Sequence, residues 1–338
     1  MPIALDATYS LDRHLTGVGV YSREILGGLA RAQPEQEFLF CYRPNRFVRS
    51  YREKLPANAL RRLLVGAPPG DLFHALNQRL DAKPRRAITT FHDLFVFTAE
   101  YSTPEFRARF TDQARRAAEL SDAIIAISKF TASQVETLLK VPRERIRVIP
   151  HGVRMPAPAA VAREKLVLFV GVIQRRKNVA RLVKAFEALP GGWRLALAGG
   201  SNGFGASEAL DAIAQSPRRS SIDLLGYVSA AELENLYRRA SIFAFPSLGE
   251  GFGMPVLDAM AHGVPVITSI TSALPEVAGD AALVVDPHDT PAIGDALKKL
   301  AADEALRAGL AARGLARARE FPWESAVTQT WALYDEIK

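Results

Sequence analysis

The sequence has a single cysteine and no long apolar run, and these two absences exclude several classes of protein. One cysteine, Cys41, in 338 residues cannot form a disulfide framework and argues against a cysteine-based metal site. The apolar run around it predicts that it is a core residue. No segment approaches the roughly 18–20 apolar residues of a membrane-spanning helix, and Leu166 to Ile173 is among the longest runs. The N-terminus has neither the basic region nor the cleavage site of a secretory signal, so a cytoplasmic location is expected.

Length, composition and charge describe a globular chain with an uneven charge distribution. Hydrophobic residues make up 48% and charged residues 23% of the chain, and 338 residues suggest two domains. The first 158 residues hold 24 Lys and Arg against 16 Asp and Glu, a net charge of +8, whereas the remaining 43 − 24 = 19 basic and 36 − 16 = 20 acidic residues give −1. The first half is therefore expected to meet an anionic partner, which could be a membrane surface, a phosphorylated substrate or a nucleic acid.

Short apolar runs alternate with helix-like stretches in both halves, which is typical of parallel sheets covered on both faces. The strand candidates are Pro2–Ala7, Glu37–Tyr42, Leu72–Leu76, Arg86–Phe91, Ala123–Ile127 and Ile146–Ile149 in the first half, and Leu166–Ile173, Trp193–Ala198, Ile222–Val228, Ile242–Pro246, Val264–Thr268 and Ala282–Asp286 in the second. A Pro- and Ala-rich linker, 154–160, separates them. We therefore predict an α/β chain of two Rossmann-like, doubly wound domains, 1–155 and 160–320, that bind ligands at the carboxyl ends of their strands.

The most informative segment, 246–263, reads as a strand, a glycine-rich loop and a helix with Pro255 in its first turn. Free N–H groups at such a helix start form an anion site suited to a phosphate or diphosphate. Glu250 lies before the helix and Asp258 one turn inside it, so carboxylates that accept hydrogen bonds from hydroxyls flank the anion site. This arrangement fits a nucleotide diphospho-sugar, although a tight turn with two surface acids would give the same pattern.

Three consecutive cations, Arg175, Arg176 and Lys177, follow the first strand of the second half. They could clamp a diphosphate or form a solvated basic turn. In the first half, Gly17, Val18 and Gly19 are placed between the first strand and the first helix. That segment is too short for a dinucleotide fingerprint and could be a flexible loop. His92 ends a predicted strand, either as a ligand-facing residue or as a histidine bound to a backbone carbonyl.

A basic amphipathic helix is predicted in the first half, over residues 42–55. Its cations Arg46, Arg49, Arg52 and Lys54 recur at helical spacing beside an apolar stripe. Such a helix can lie on an anionic bilayer, or its stripe can be buried in the domain. Nucleic acid is the less favoured partner, because no recognised nucleic-acid motif is present.

Glu250-x7-Asp258 around Gly-Phe-Gly-x-Pro resembles the E-x7-E motif of retaining GT-B glycosyltransferases, in particular glycosyltransferase family 4. The resemblance spans nearly the whole chain and includes 17–21, 92–93, 149–153, 171–178, 225–228 and 274–277. Two positions depart from the family pattern. Asp258 is one methylene shorter than the commoner Glu, and Val172 stands where many relatives carry an arginine, which leaves Arg176 and Lys177 as the main cations.

The resemblance implies a retaining hexosyltransferase that moves a sugar, with mannose favoured, from a nucleotide diphospho-sugar to a glycan or lipid-linked acceptor in cell-envelope polysaccharide synthesis. It implies catalytic roles for His92, Arg176, Lys177 and Glu250. The donor would be bound by Gly17, Val18, Gly19, Tyr227, Val228, Gly251, Phe252, Gly253, Met254, Pro255, Val256 and Asp258. It implies no metal and no cofactor, a cleft between the domains, and a last helix, 322–338, that returns to the first domain. The expected location is cytoplasmic, at the inner face of an anionic membrane.

A different class of function stays open, because a non-catalytic nucleotide-sugar-binding subunit could use the same fold. Glu250, Lys177 and His92 favour the enzyme, since a non-catalytic homologue has no physical need for them. For the pair Tyr227 and Val228, an ordinary strand end is the alternative to a nucleobase contact. A nucleotide-sugar epimerase is disfavoured by the incomplete dinucleotide fingerprint.

Overall fold

A computed structural model describes residues 2–11, 16–157 and 161–337, which divide into two compact units. The first unit comprises Met1–Glu100, Pro104–Gly152 and Phe321–Lys338, and the second comprises Tyr101–Thr103 and Val153–Glu320. Residues 158–160 of the predicted linker lie outside the described residues. No helix of the described chain is both long enough and apolar enough to cross a bilayer.

The described residues form thirteen strands and thirteen α-helices, named here in chain order. The strands are β1 Ile3–Asp6, β2 Phe38–Tyr42, β3 Ala59–Leu63, β4 Leu72–Ala75, β5 Arg86–Phe91, β6 Ala123–Ala126, β7 Ile146–Val148, β8 Glu164–Val170, β9 Arg194–Ala198, β10 Ile222–Gly226, β11 Ala240–Phe245, β12 Val266–Ser269 and β13 Ala282–Val285. The helices are α1 Gly17–Ala32, α2 Pro44–Ser50, α3 Phe95–Thr98, α4 Pro104–Leu120, α5 Lys129–Leu139, α6 Val179–Phe186, α7 Ala206–Gln215, α8 Ala230–Arg239, α9 Met254–Ala261, α10 Leu274–Ala278, α11 Thr290–Ala302, α12 Glu304–Arg319 and α13 Trp323–Ile337.

The first unit is built on a seven-stranded parallel sheet of order β3-β2-β1-β4-β5-β6-β7. Strands β1, β2, β4 and β6 are wholly buried, which explains why their sequences are apolar apart from Asp6 and His74. Cys41 on β2 is buried with a free thiol, as predicted. The edge strand β3 is absent from the predicted set because only Ala59 of its five residues is buried, so its sequence resembles a solvated loop.

The last helix, α13, packs against α1 within the first unit. Gly28 makes this possible, since a Cβ there would lie 2.3 Å from Val327 Cγ2. The Tyr334 hydroxyl is 2.6 Å from His74 Nδ1 on β4, and the Trp331 ring meets Phe38 edge-on with 6.5 Å between centroids. Residues on α13 therefore contact both α1 and the central sheet.

The predicted basic helix over residues 42–55 is wrong in extent, because α2 ends at Ser50. The chain continues as a tight turn, in which the N–H groups of Tyr51 and Arg52 donate hydrogen bonds to the carbonyls three residues before them. Arg61 on β3 donates to the Ser50 and Glu53 carbonyls and holds this turn. Arg52 and Lys54 consequently lie beyond the helix.

The second unit has a six-stranded parallel sheet of order β10-β9-β8-β11-β12-β13. A capping box begins α8, with Ser229 and Glu232 each bonding the other's backbone N–H. The two covered parallel sheets confirm the prediction of an α/β chain with two Rossmann-like domains.

Candidate active site

The strand order of the second unit reverses between β8 and β11, and the segments after these two strands meet there. Arg175–Lys177 form a single 3₁₀ turn after β8, and Ser247 to Glu250 follow β11. The Leu248 N–H donates to the Arg176 carbonyl at 2.8 Å, which ties the two segments together. Open α/β sheets bind ligands at such a reversal, outside the carboxyl ends of the strands.

Glu250 is the buried centre of this junction, with only 7% of its surface exposed. Its Oε1 lies 2.8 Å from Lys177 Nζ and accepts a 2.5 Å hydrogen bond from the Ser247 hydroxyl. Its Oε2 lies 3.0 Å from Arg176 Nη1. The Glu250 N–H donates to Ser272 Oγ at 2.9 Å. Three side chains from two segments therefore fix the carboxylate, and Ser272 from a third segment fixes the Glu250 backbone.

These charges determine the ionisation of Glu250. Burial alone would raise its pKa, but the charges of Arg176 and Lys177, with the hydrogen bonds from Lys177 and Ser247, outweigh burial and lower it to about 2. Two cations facing one carboxylate leave the cluster with a net formal charge of +1. The cluster can therefore accept a further anion.

Asn178 anchors the cationic turn to the sheet. It adopts a left-handed backbone conformation with φ of 59°, and its Nδ2 donates to the carbonyls of Pro246 at 2.9 Å and Pro287 at 2.7 Å. Arg181 donates to the Asn178 Oδ1 at 3.0 Å. The residue belongs to the predicted motif, but its anchoring role depends on segments far away in sequence.

Helix α9 begins beside Glu250 and directs its N-terminus towards the same loop. Gly253 precedes it with φ of 109°, and a Cβ there would lie 2.7 Å from Leu274 Cδ2, so the turn requires glycine. Gly251, Phe252 and Gly253 are buried, and Met254, Pro255 and Val256 form the first turn. The positive end of the helix dipole adds to the charges of Arg176 and Lys177.

Asp258 lies on α9 one turn after Met254. Among the described residues, no side chain donates a hydrogen bond to its partly exposed carboxylate, and burial raises its pKa to about 7. Its charge also contributes to the raised pKa of the buried Tyr237 phenol, after burial itself. Asp258 thus keeps a hydrogen-bonding carboxyl available at the site.

A second glycine-rich loop, 199–205, lies between β9 and α7 and was not predicted as functional. A Cβ on Gly199 would lie 2.1 Å from the Gly171 carbonyl oxygen, and one on Gly200 would lie 2.6 Å from the Tyr227 ring. The Tyr227 ring therefore packs directly on the Gly200 backbone. Tyr227 is 50% exposed, and the next residue, Val228, is half-buried. Four glycines within seven residues at a strand-to-helix junction were the signal that could have identified this loop.

The remaining candidate residues belong to the first unit. Gly17, Val18 and Gly19 were predicted between strand and helix, and this placement is wrong because they are the first three residues of α1, after Thr16 at the N-cap. Helix starts tolerate glycine because their first N–H groups have no partner within the helix.

His92 lies directly after β5 and is 6% exposed. Its Nε2 is 2.9 Å from the Leu76 carbonyl oxygen, and its ring meets Tyr21 edge-on. Burial lowers its pKa to about 4, which keeps the ring neutral at pH 7. A neutral ring that donates from Nε2 to Leu76 keeps Nδ1 as an acceptor.

Comparison with known proteins adds two matching family models and several relatives. Residues 15–155 match the model described as Glycosyltransferase Family 4, and residues 155–317 match Glycosyl transferases group 1. The chain is 34% identical over 280 residues to O-antigen chain mannosyltransferase B of Escherichia coli, covering 78% of this chain and 74% of that protein. It spans less than two thirds of the length of the next seven relatives.

Solved structures share the fold over almost the whole chain. Sucrose-phosphate synthase from Thermosynechococcus elongatus superposes with a TM-score of 0.81 at 22% identity, covering 99% of this chain and 98% of that one. Anabaena HepE in complex with UDP-glucose superposes with a TM-score of 0.75 at 16% identity, covering 99% of both chains. These likenesses agree with the predicted GT-B fold class.

Proposed function

This chain belongs to glycosyltransferase family 4, and we propose that it is a retaining hexosyltransferase that uses a nucleotide diphospho-sugar without a bound metal. The observation that carries the proposal is the placement of Glu250 between Arg176 and Lys177, beside the start of α9. A diphosphate needs concentrated positive charge, and a sugar needs a fixed hydroxyl acceptor. This junction supplies both within one hydrogen-bonded cluster.

In the proposed donor complex, the diphosphate lies against Arg176, Lys177 and the first turn of α9. The cations then share their charge between Glu250 and the phosphates, and Glu250 accepts hydrogen bonds from the sugar hydroxyls. Asp258 accepts from the ribose diol, and Tyr227 offers an exposed ring for the base. Positive charge from side chains and a helix start takes the role that a divalent cation has in other transferases.

The proposed reaction breaks the bond between the anomeric carbon and the phosphate oxygen. The diphosphate leaves with that electron pair, and its charge is stabilised by Arg176 and Lys177. The acceptor oxygen bonds to the anomeric carbon on the same face, and its proton passes to the leaving phosphate oxygen. His92, neutral with Nδ1 as acceptor, orients a sugar hydroxyl.

Mannose, carried as GDP-mannose, is the proposed sugar. The support comes from the Escherichia coli relative, which is named as an O-antigen chain mannosyltransferase and is similar over 78% of this chain. By the same likeness, the acceptor is a glycan or lipid-linked glycan of cell-envelope polysaccharide synthesis. A structural neighbour binds UDP-glucose, so UDP-sugars are the comparison set in any donor screen.

An anionic membrane at the cytoplasmic face is the proposed location of the acceptor. The segment 44–65, here called the α2–β3 patch, carries apolar side chains that water reaches freely: Val48 (81% exposed), Tyr51, Leu60, Leu63 and Val65 (66%). Its charged residues are Arg46, Arg49, Arg52, Glu53, Lys54, Arg61 and Arg62, six cations and one acid. Exposed apolar groups among cations match a surface of anionic headgroups over acyl chains.

The decisive experiment measures product and nucleotide together. With α-linked GDP-mannose and a lipid-linked glycan acceptor, we expect release of GDP and an α-linked product by NMR. A β-linked product would refute retention, and donor binding without GDP release would identify a non-catalytic subunit. Arg176→Ala should lower turnover about 100-fold. The adjacent Arg175→Ala is the matched control, because Arg175 pairs with Glu208 on the exposed surface.

A further inference from the structure

A short segment rich in hydroxyl side chains lies against the loop that carries Glu250. Residues 268–272 have the sequence Thr-Ser-Ile-Thr-Ser and lead from the end of β12 towards α10. We call them the hydroxyl segment. The side chains of Thr268 and Ser269 are fully buried, whereas Ile270 between the two hydroxyl pairs is 54% exposed. The hydroxyl groups therefore face the protein, and the apolar side chain faces water.

The hydroxyl segment bonds the Glu250 loop through all four of its hydroxyl groups. The contacts, in chain order, are Thr268 Oγ1 to the Phe245 carbonyl (3.2 Å), Ser269 Oγ to the Ser247 carbonyl (2.6 Å), Thr271 Oγ1 to the Leu248 carbonyl (3.3 Å) and the Glu250 N–H to Ser272 Oγ (2.9 Å). Side-chain hydrogen bonds of this kind fix a loop that has no regular secondary structure of its own. Residues 245–250 are therefore held against the end of β12.

Ser272 contacts Glu250 directly. Its hydroxyl donates to the Thr271 carbonyl at 2.6 Å, which leaves the oxygen as the acceptor for the Glu250 N–H. The next residue, Ala273, donates its N–H to the Glu250 carbonyl at 3.3 Å. Two consecutive residues thus bond the two backbone polar groups of Glu250, while the cations hold its carboxylate.

The backbone of Ser272 adopts a conformation that favours glycine. Its φ is 58°, in the left-handed region, where a residue with a Cβ is strained. Asn178, which anchors the cationic turn to the sheet, has a φ of 59°. Glycine would fit either position without strain, but glycine has no side chain that could bond the neighbouring segment. Strained residues in folded proteins cluster at functional sites, where the surrounding structure holds them.

We propose that Ser272 is a positioning residue for the transfer reaction and that it acts through the backbone N–H of Glu250. In the proposed donor complex, Arg176 and Lys177 share their charge with the phosphates, so their hold on the carboxylate weakens when the donor binds. The bond from Ser272 involves no charge and no donor atom, and it keeps Glu250 in place at that stage. A group that contacts the reacting sugar must be held to within about 0.5 Å. The inference rests on the proposed donor role of Glu250.

The test uses three substitutions that separate the hydroxyl of Ser272 from its backbone conformation. Ser272→Gly suits the left-handed conformation but lacks the hydroxyl. Ser272→Thr keeps the hydroxyl but is β-branched, so it strains the backbone further. Ser272→Ala lacks the hydroxyl and keeps the Cβ. Lys140→Gly and Lys140→Thr are the matched controls, because Lys140 has a φ of 56° at the end of α5 in the first unit.

We expect turnover to follow the hydroxyl and the melting temperature to follow the backbone. Ser272→Gly and Ser272→Ala should turn over about tenfold more slowly than wild type, the scale of one lost hydrogen bond, with GDP affinity unchanged. Ser272→Thr should melt below Ser272→Gly but, assayed below its melting temperature, should turn over like wild type. Hydrogen exchange of the Glu250 N–H should be about tenfold faster in Ser272→Gly. The Lys140 variants should match wild type in turnover and in this exchange.

Three outcomes would overturn the positioning role. Turnover that falls most in Ser272→Thr, in step with its melting temperature, would show that Ser272 only supports the structure of the loop. Unchanged turnover of Ser272→Gly, or unchanged exchange of the Glu250 N–H in that variant, would refute the role outright. The proposed donor function fails separately, if the wild type neither binds GDP nor releases it from a nucleotide sugar. In that case the exchange of the Glu250 N–H still decides whether Ser272 holds Glu250.

Discussion

Lys177 Nζ and Glu250 Oε1 lie 2.8 Å apart, although 73 positions separate the two residues in the chain. Both side chains are almost fully buried, and Arg176 approaches the second carboxylate oxygen. A buried ion pair contributes little net stability, but removing one partner leaves an uncompensated charge. The cations proposed to bind the donor therefore have the proposed sugar-binding carboxylate as their partner within the chain.

Replacing the Glu250 carboxylate should lower the stability of the free protein and increase the stabilisation that bound GDP provides. Glu250→Gln leaves Arg176 and Lys177 facing each other without a counter-ion, so we expect unfolding free energy to fall by about 3 kcal/mol. GDP should then raise the melting temperature of the variant more than that of wild type, because its diphosphate replaces the missing charge. Turnover should fall about 100-fold.

The control for this variant is Glu208→Gln, the same change at the exposed Arg175 ion pair. Exposed pairs contribute roughly 0–1 kcal/mol, so this variant should melt and turn over like wild type. If Glu250→Gln and Glu208→Gln have the same unfolding free energy and the same rise in melting temperature with GDP, the buried cluster does not hold the diphosphate.

The pH dependence of stability should show the raised pKa of Asp258. The folded pKa is about 7 against an ordinary value of 3.8, so between these pH values the unfolded chain releases a proton that the folded chain keeps. Stability from this group is fully present below about pH 4 and is lost as pH rises towards 7. Glu250, whose folded pKa is lowered to about 2, has the opposite sign and acts only below about pH 4.5.

Urea unfolding from pH 4.5 to 7.5 measures this effect. We expect the difference in unfolding free energy between wild type and Asp258→Asn to change steadily across the interval and to level off above pH 7. Asp223→Asn serves as control, because Asp223 pairs with Arg194 on the exposed surface. Parallel pH curves for wild type and Asp258→Asn would contradict a carboxyl that keeps its proton to about pH 7.

Much of the fold could be predicted because the central strands are buried on both faces and the helix ends are marked by local chemistry. Ser229 and Glu232 cap α8 within four residues, and Pro322 precedes α13. Strand β3 could not be predicted in this way. Its residues Arg61 and Arg62 look solvated, and its pairing with β2 depends on tertiary context.

The site could be predicted only as separate pieces. The cationic turn and the Glu250 loop each have a readable sequence pattern, but their direct contact depends on β8 lying next to β11, which no local pattern encodes.

The close contact of α1 with α13 predicts opposite effects for two adjacent glycines. Gly28→Ala would place a methyl 2.3 Å from Val327 Cγ2 and should destabilise the chain by about 1–3 kcal/mol. Gly27→Ala meets only the flexible end of Arg31 and should stabilise by up to about 1 kcal/mol, as alanine does in a helix. The double variant Gly28→Ala/Val327→Ala should recover part of the loss. Equal effects of the two single variants would refute this packing.

The α2–β3 patch predicts binding to anionic vesicles at low ionic strength. Sedimentation with phosphatidylglycerol vesicles should recover wild type at about 0.1 M salt and lose it near 1 M, where the screening length falls from about 10 to about 3 Å. Neutral phosphatidylcholine vesicles should bind little. Val48→Glu/Val65→Glu inserts two acids among the cations of the patch and should weaken binding at least tenfold.

The matched control for the patch is Ile270→Glu/Val284→Glu, which makes the same change at two exposed apolar residues of the second unit. Both double variants lower net charge by two, so a purely global electrostatic attraction would weaken equally in both. The two variants should differ in vesicle binding only if residues 44–65 contact the membrane directly, because only then do the carboxylates at positions 48 and 65 enter the headgroup layer. If both double variants lose vesicle binding equally, the binding is a non-specific electrostatic attraction and not a contact of the α2–β3 patch. If the Val48→Glu/Val65→Glu protein binds vesicles like wild type, any membrane contact lies elsewhere on the chain.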